Sequence, residues 1–311
     1  MPTVVFLLAP HLHLLDLAGP AQVFSTAADD SYGYALRYVA ERPDVPTAQG
    51  ITMRAETSWP DLGPQDIILV PGWRASAHWH RQPLGEESLR RLAAHHAAGG
   101  MVVSVCAGAQ ALGAAGLLDG RRCTTHHEIA ADLAARYPRA QVVKDVLYVI
   151  DRRVATSAGI ASGIDLALHL IAVRHGPSAA ARIARSMVVY ARRNGDESQA
   201  SAMLRHRAHL SDLAHRAQDQ IEAGFTDRLS LAELAATCGV SERSLTRHFE
   251  KATGTTPLRY QQALRLERAE HLIGHGTSVE SAARAVGFQD ARMLRRLRSR
   301  PTLQLSGSPR S

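Results

Sequence analysis

"MVVSVCAGAQALGAAGLLDG" (101–120) sets a β-branched-rich run, 101–105, against an Ala/Leu/Gly segment with a cysteine at the junction. A strand that is apolar on both faces and then turns into a buried helix belongs to a mostly parallel sheet covered on both sides. Residues 101–118 carry no charge, which also makes them a formal membrane-span candidate. Ser104, Gln110 and three glycines interrupt that span, and a buried strand followed by a buried helix accounts for it better.

The same alternation extends outward through the first 175 residues. Strands are expected over 3–9, 34–40, 67–70, 101–105, 141–143, 147–150 and 154–156, with helices over 20–28, 85–98, 109–117, 128–136 and 164–175. This order implies an α/β fold with a doubly wound, mostly parallel sheet. Ligands of such folds bind beyond the carboxyl ends of the strands. Three loops leave those ends with suggestive chemistry: "APHLHLLDLAGP" (9–20), "VPGWRAS" (70–76) and "VCAG" (105–108). Asp16, Gly72, Trp73, Cys106 and Ala107 lie on these loops. Cys106 sits where a nucleophile elbow would, and the helix after it is placed to lower the thiol's pKa and hold an anion. The backbone N–H groups of Trp73 and Ala107 are candidates for an oxyanion hole.

Near residue 190 the texture changes. "ARRNGDESQA" (191–200) is polar and unpatterned, as a linker is, and beyond 201 only helical patterns remain. An internal repeat lies there: "LAELAATCGVSERSLTRHF" (231–249) aligns with "VESAARAVGFQDARMLRRL" (279–297) at a spacing of 48. In each copy an Ala-rich helix ends at a Gly (239, 287), which supplies the positive φ of a helix-closing turn. An Arg-bearing helix follows. The chain therefore divides into an α/β domain over 1–190, a linker over 191–209 and an all-α domain over 210–311 with two helix-turn-helix units.

Charge supports a polyanionic partner for the second half. The formal net charge is +7, and residues 284–311 carry seven Arg against one acid, Asp290, whereas 1–194 carry 19 basic and 16 acidic side chains. A basic end of this kind is the electrostatic footprint of nucleic-acid binding. Cys106, Cys123 and Cys238 have no paired or metal-ligand spacing, so the last two are read as structural. The histidines show no ligand pattern beside acids, and no metal or cofactor is expected. His126 and His127 adjoin the sheet edge; on an extended segment they point to opposite faces, so at most one meets the pocket. The N-terminus lacks a basic leader region and meets Asp16 early, which argues for a cytoplasmic protein without a membrane anchor.

The repeat and the helix between its copies, "PLRYQQALRLERAEHLI" (257–273), resemble the AraC/XylS DNA-binding domain over about 210–297. In that family the second helix of each unit enters the major groove of double-stranded DNA. The resemblance implies readers at Arg243, Thr246 and Arg247 in the first unit, and at Ala291, Arg292, Arg295 and Arg296 in the second. Arg suits this because its fork donates two bonds to guanine. The family's aromatic anchor near the end of the reading helix is kept as Phe249, with "TGTTP" (253–257) after it. In the second unit Arg298 stands at the anchor position, followed by "SRPTLQLSGSPRS" (299–311).

"LLDLAGPAQVF" (14–24), "ILVPGW" (68–73), "VCAGAQALGAAGLLDGRRCTTHH" (105–127) and "TSAGIASGIDLALHL" (156–170) resemble the ThiJ/PfpI, class I glutamine amidotransferase-like domain. Together the two halves look like a GlxA-type AraC regulator. That implies a DNA-binding transcriptional regulator whose first domain senses a small-molecule effector in a pocket at Asp16, Gly72, Trp73, Cys106 and Ala107 and forms a homodimer, with no catalytic residues assigned. The alternative is an enzyme of the isonitrile-hydratase or amidohydrolase kind using Cys106 and Asp16. Against hydrolysis stands the absence of a base beside the thiol: the position after the cysteine, a His in the protease-like branch, is Ala107.

Overall fold

Val4, Val5, Phe6 and Leu7 are all buried, because the strand they form lies inside a six-stranded sheet with helices over both faces. The computed structural model describes residues 1–74, 83–189, 193–196, 199, 206–207, 209–274 and 276–299. The strands are β1 (Thr3–Leu7), β2 (Ala35–Val39), β3 (Asp44–Pro46), β4 (Thr52–Arg54), β5 (Ile67–Val70), β6 (Met101–Val105), β7 (Arg122–Cys123), β8 (Gln141–Val142), β9 (Tyr148–Asp151) and β10 (Val154–Ser157). The main sheet runs β2-β1-β5-β6-β10-β9. Every neighbouring pair is parallel except β10 with β9 at the edge. The register is regular, with Val4 opposite Ile67, Ile67 opposite Met101 and Val102 opposite Val154.

The helices of this unit are α1 (Leu14–Ala27), α2 (Glu86–Ala97), α3 (Ala109–Ala114), α4 (Ala130–Arg136), α5 (Ser162–His175) and α6 (Pro177–Ser186). α1, α5 and α6 pack together, as do α2, α3 and α4. Right-handed crossovers that leave β1 in opposite directions put these groups on opposite faces. Because β2 and β5 flank β1, the winding reverses between β1 and β5. Doubly wound sheets bind ligands at such a reversal, beyond the carboxyl ends of the strands.

Several boundaries differ from the sequence reading. α1 starts at Leu14 rather than 20, so Pro20 lies inside it. The missing Pro N–H costs the Asp16 carbonyl one helical bond, but the first turn, which carries Asp16, still forms. The helix expected over 109–117 ends at Ala114, and Gly116 closes it at φ +72°. The helix α6 and the hairpin β3–β4 went unread. α6 bears a signal, a proline at its first position, where the absent N–H needs no partner.

The chain forms two compact units, Met1–Gln199 and Ala200–Ser311. Of the expected linker, 191–192, 197–198, 200–205 and 208 lie outside the described residues, as does the tail from 300. The second unit is helical throughout its described length: α7 (Asp212–Ala223), α8 (Leu231–Thr237), α9 (Glu242–Thr253), α10 (Pro257–Gly274), α11 (Val279–Ala285) and α12 (Ala291–Arg298). Ser211, Ser230, Ser241, Ser278 and Asp290 cap α7, α8, α9, α11 and α12 by accepting backbone N–H bonds, which satisfies donors a helix start leaves open. α8 with α9 and α11 with α12 are the two helix-turn-helix units. α10 joins them and supplies Tyr260 to the first core and Ala269 to the second.

Candidate functional site

Three strand ends build the site of the first unit. After β1, the first turn of α1 carries Asp16, which is fully buried; its Oδ1 accepts the Ile160 N–H at 2.6 Å. After β5 comes Gly72, whose carbonyl accepts the His13 N–H at 2.8 Å, and then buried Trp73, bridged to Leu12. After β6 comes Cys106 at φ +54°, opening a short 3₁₀ turn that includes Ala107. A left-handed non-glycine residue at a strand-to-helix junction is strained and recurs at functional sites.

The closeness of these groups is measured by what they exclude. A Cβ on Gly72 would stand 2.5 Å from Asp16 Oδ2, 2.7 Å from Cys106 Cβ and 2.9 Å from the Ala107 nitrogen. A Cβ on Gly159, at φ +100°, would stand 2.3 Å from Cys106 Cβ. The structure thus brings Asp16, Gly72, Cys106 and Ala107 into one cluster, with Trp73 adjoining it in the chain. Gly159 and Ile160 complete it. Both lie in the quoted 156–170 stretch, yet no chemistry in their side chains marks them.

The electrostatics reverse one expectation. Burial, and then the Asp16 carboxylate beside it, push the Cys106 thiol far above its ordinary value, and only the Ala107 N–H pulls the other way. The turn before α3 does not overcome desolvation, so the thiol stays protonated at neutral pH. Burial likewise raises the Asp16 carboxyl, against the Ile160 N–H bond and the charge of His13. Among the described residues Asp16 Oδ2 has no hydrogen-bond partner. A thiol beside a carboxyl reluctant to ionise is a poor nucleophile until something enters and changes its surroundings.

The histidine pair also departs from expectation. The extended run ends at His126, and a 3₁₀ turn starts at His127, so the two rings lie together, tilted by 34° with centres 4.3 Å apart. Burial lowers His126, followed by His127, with the charge of His13 acting in the same direction. Just before them Thr125 Oγ1 donates to the Cys106 carbonyl at 2.8 Å. Cys123 is buried in β7 and Cys238 at the end of α8, both as free thiols. Among the described residues no group of three or more His, Cys, Asp or Glu forms a metal site, and no helix is long and apolar enough to cross a membrane.

In the second unit the helices expected to read bases are α9 and α12. Arg243 and Arg247 are exposed on α9, with Thr246 half-buried between them. On α12, Arg292, Arg295 and Arg296 are exposed and Ala291 is half-buried. Arg295 is tied to Glu280 and Arg298 lies 3.9 Å from Glu270. Among the described residues Arg243, Arg247, Arg292 and Arg296 make no ion pair. The two turns differ by one residue: Ser241, the cap of α9, follows Gly239 by two, whereas Asp290 follows Gly287 by three. The repeat therefore runs at 48 up to each glycine and at 49 in the reading helices. Fully buried Leu245 then matches fully buried Leu294, and Arg243 and Arg247 match Arg292 and Arg296.

A model of the DJ-1/PfpI family matches residues 2–173, and a model described as a helix-turn-helix domain matches residues 234–300. The chain is 35% identical over 189 residues to the HTH-type transcriptional regulator GbdR of Pseudomonas aeruginosa, covering 60% of this chain and 50% of that protein. It thus spans about half the length of the first curated relatives it matches. It is 28% identical over 258 residues to the HTH-type transcriptional regulator GlxA of Rhizobium meliloti, covering 78% and 77% of the two chains. It is also 34% identical over 170 residues to an isonitrile hydratase of Pseudomonas putida, covering 53% and 68%.

Proposed function

The chain belongs to the DJ-1/PfpI family, and from that premise we propose that it is a sequence-specific transcriptional regulator of double-stranded DNA. Its first domain, 1–190, binds a small-molecule effector and holds two copies of the chain together; a linker, 191–209, leads to the DNA-binding domain, 210–311. The observation that carries this reading is the repeated unit. Two helix-turn-helix units present arginines four apart, 243 with 247 and 292 with 296, on exposed helix faces without acidic partners among the described residues. Such forks donate in pairs to guanine edges or to phosphates. Relatives named as transcriptional regulators support the same conclusion.

The effector enters beside Asp16, Gly72, Trp73, Cys106 and Ala107, where the strained Cys106 elbow serves binding rather than turnover. The thiol that burial keeps protonated supports that role. As a regulator of DNA the protein acts in the cytoplasm. Mapping chromosomal occupancy of the full chain tests the reading: discrete peaks near a small set of genes are expected, and uniform occupancy contradicts it. Sedimentation of the full chain as a monomer at tens of micromolar, roughly the range that covers weak dimers, contradicts the homodimer.

A second reading rests on the Asp16–Cys106 contact and on similarity to the isonitrile hydratase: an enzyme with DNA binding secondary. Isonitriles, amides and glutamine offered to the wild type, Cys106→Ser and Asp16→Ala separate the two. Turnover in the wild type that vanishes in both variants favours the enzyme.

A further inference from the structure

Three residues ahead of α7 are bonded into the second unit. A carbonyl can only accept, so the His206 ring donates its Nδ1–H to the Thr253 carbonyl at 2.9 Å. The ring stands edge-on to Tyr260, centres 5.6 Å apart. The His206 carbonyl accepts Nε2–H of fully buried Gln218 at 2.8 Å, which turns Gln218 Oε1 toward His209 Nε2 at 3.1 Å. Arg207 pairs with Asp219 and, at 2.7 Å, with Glu222, which also accepts the Tyr260 hydroxyl. His206, Arg207 and His209 thus bridge α7, the end of α9 and α10, all of them inside the second unit.

Thr253 closes α9, the helix proposed to read bases in the first helix-turn-helix unit. Carbonyls in the last turn of a helix have no partner within it. Here the Glu250 carbonyl is met by the Gly254 N–H at 2.9 Å, and the Thr253 carbonyl by His206. Thr253 is itself buried, its hydroxyl donating to the Phe249 carbonyl at 2.8 Å, so His206 grips a fixed point. At about 1.5 Å of rise per residue, Arg243 lies about 15 Å along the axis from that point. A tilt of about 5° there displaces Arg243 by about 1.3 Å and Arg247 by about 0.8 Å. A hydrogen bond of ordinary length does not absorb the larger shift.

We propose that His206 is a positioning residue for base reading: its Nδ1–H holds the end of α9 and so sets the angle at which Arg243 and Arg247 meet the duplex. This rests on the regulator reading above. A paired guanine contact needs both donors of the arginine fork in place, so it is sensitive to that angle. Phosphate attraction is not, because it acts over the length of a Debye layer and needs no fixed geometry. Loss of the bond therefore lowers discrimination between sequences and leaves unspecific binding as it was.

The full chain and its variants are titrated with a duplex that the wild type selects from a random pool, and with an unselected duplex. In His206→Leu the ratio of the two affinities should fall by about tenfold, the worth of one misplaced base contact, with the unselected duplex and its salt slope unchanged. His206→Asn sets an amide N–H where Nδ1–H stands and should keep the wild-type ratio. Where Leu prevents folding, His206→Gln serves in its place, because its amide reaches the Nε2 position instead. Amide exchange over 250–253 should also rise by about tenfold in His206→Leu, as for one buried hydrogen bond left unmade, with 295–298 in α12 as the internal control. An unchanged ratio in His206→Leu, a loss in His206→Asn as large as in Leu, or equal loss on both duplexes overturns the proposal. A wild type with no preference to lose would count against the regulator reading alone, and the exchange rates would still decide whether His206 holds α9.

Discussion

The two helix-turn-helix units begin from one pattern and reach their packing by different means. In the first, Phe249 near the end of α9 is fully buried against Tyr260, ring centres 5.8 Å apart, with Leu245 one turn earlier. Tyr260 donates to Glu222, which also pairs with Arg207 at 2.7 Å, so aromatic burial and one polar cluster hold this unit. In the second, the equivalent of Phe249 is exposed Arg298, and no aromatic enters from α12. A cation from α10 closes the gap instead. Arg265 donates to the carbonyls of Phe225, Asp227 and Gly287 at 2.6–2.9 Å, with its guanidinium 5.6 Å from the centre of the Phe288 ring. Burying an aromatic side chain yields about 1.5–3 kcal/mol. A guanidinium bound to carbonyls gains hydrogen bonds but pays for desolvation, and burial accordingly pulls Arg265 below its ordinary pKa. With no aromatic from α12, the second unit depends on geometry at the turn.

The glycines of the two turns give the largest expected contrast. Gly239, at φ +71°, has open space where a Cβ would go; at Gly287, φ +84°, a Cβ would stand 1.9 Å from the Thr226 carbonyl oxygen. Gly239→Ala should cost about 1–2 kcal/mol from backbone strain alone, and Gly287→Ala about 4 kcal/mol or more. Urea unfolding read by amide exchange of α8 and α11 checks this, and equal losses would break the comparison. Next comes Arg265→Leu. Three carbonyls lose a charged donor at once, so about 2–3 kcal/mol should go, confined to the second unit. Loss spread evenly over both units would remove the clip from the account.

DNA binding should show a smaller contrast. Arg243→Ala or Arg247→Ala should cost about 1–3 kcal/mol of specific binding, as a lost base contact does. Arg292→Ala and Arg296→Ala should mainly lower the salt slope, by about one unit each, as lost phosphate contacts do. Titrations at several salt concentrations separate the two outcomes, and the reverse ranking would make α12 the principal reader. The smallest effect is expected at Glu280, whose pair with Arg295 is more than half exposed. Glu280→Gln should change stability by less than about 1 kcal/mol and strengthen binding by freeing a cation. Weaker binding would mean that Glu280 orients Arg295 toward the duplex.

What the sequence revealed follows from where its chemistry lies. β-branched runs mark the buried strands, and three loops at their carboxyl ends supply Asp16, Gly72 and Cys106, so the cluster was legible before its distances were. The repeated Ala-rich helices and turn glycines marked the two units. The ungapped alignment at 48 hides the one-residue shift that Gln289 adds to the second turn, although Arg298 opposite Phe249 already stands at 49. Pro20 reads as a helix start but lies inside α1. Arg265 gave no signal because the groups it donates to are backbone carbonyls distant in sequence, 22 to 40 residues away. A main-chain carbonyl has no letter in the sequence.

Selection of duplexes from a random pool by the full chain tests the central claim most directly. The wild type should recover one sequence motif containing guanines at fixed spacing. The double variant Arg243→Ala, Arg247→Ala should lose those positions while retaining salt-sensitive, unspecific binding. Recovery of no motif by the wild type, or of the same motif by the double variant, would contradict the account.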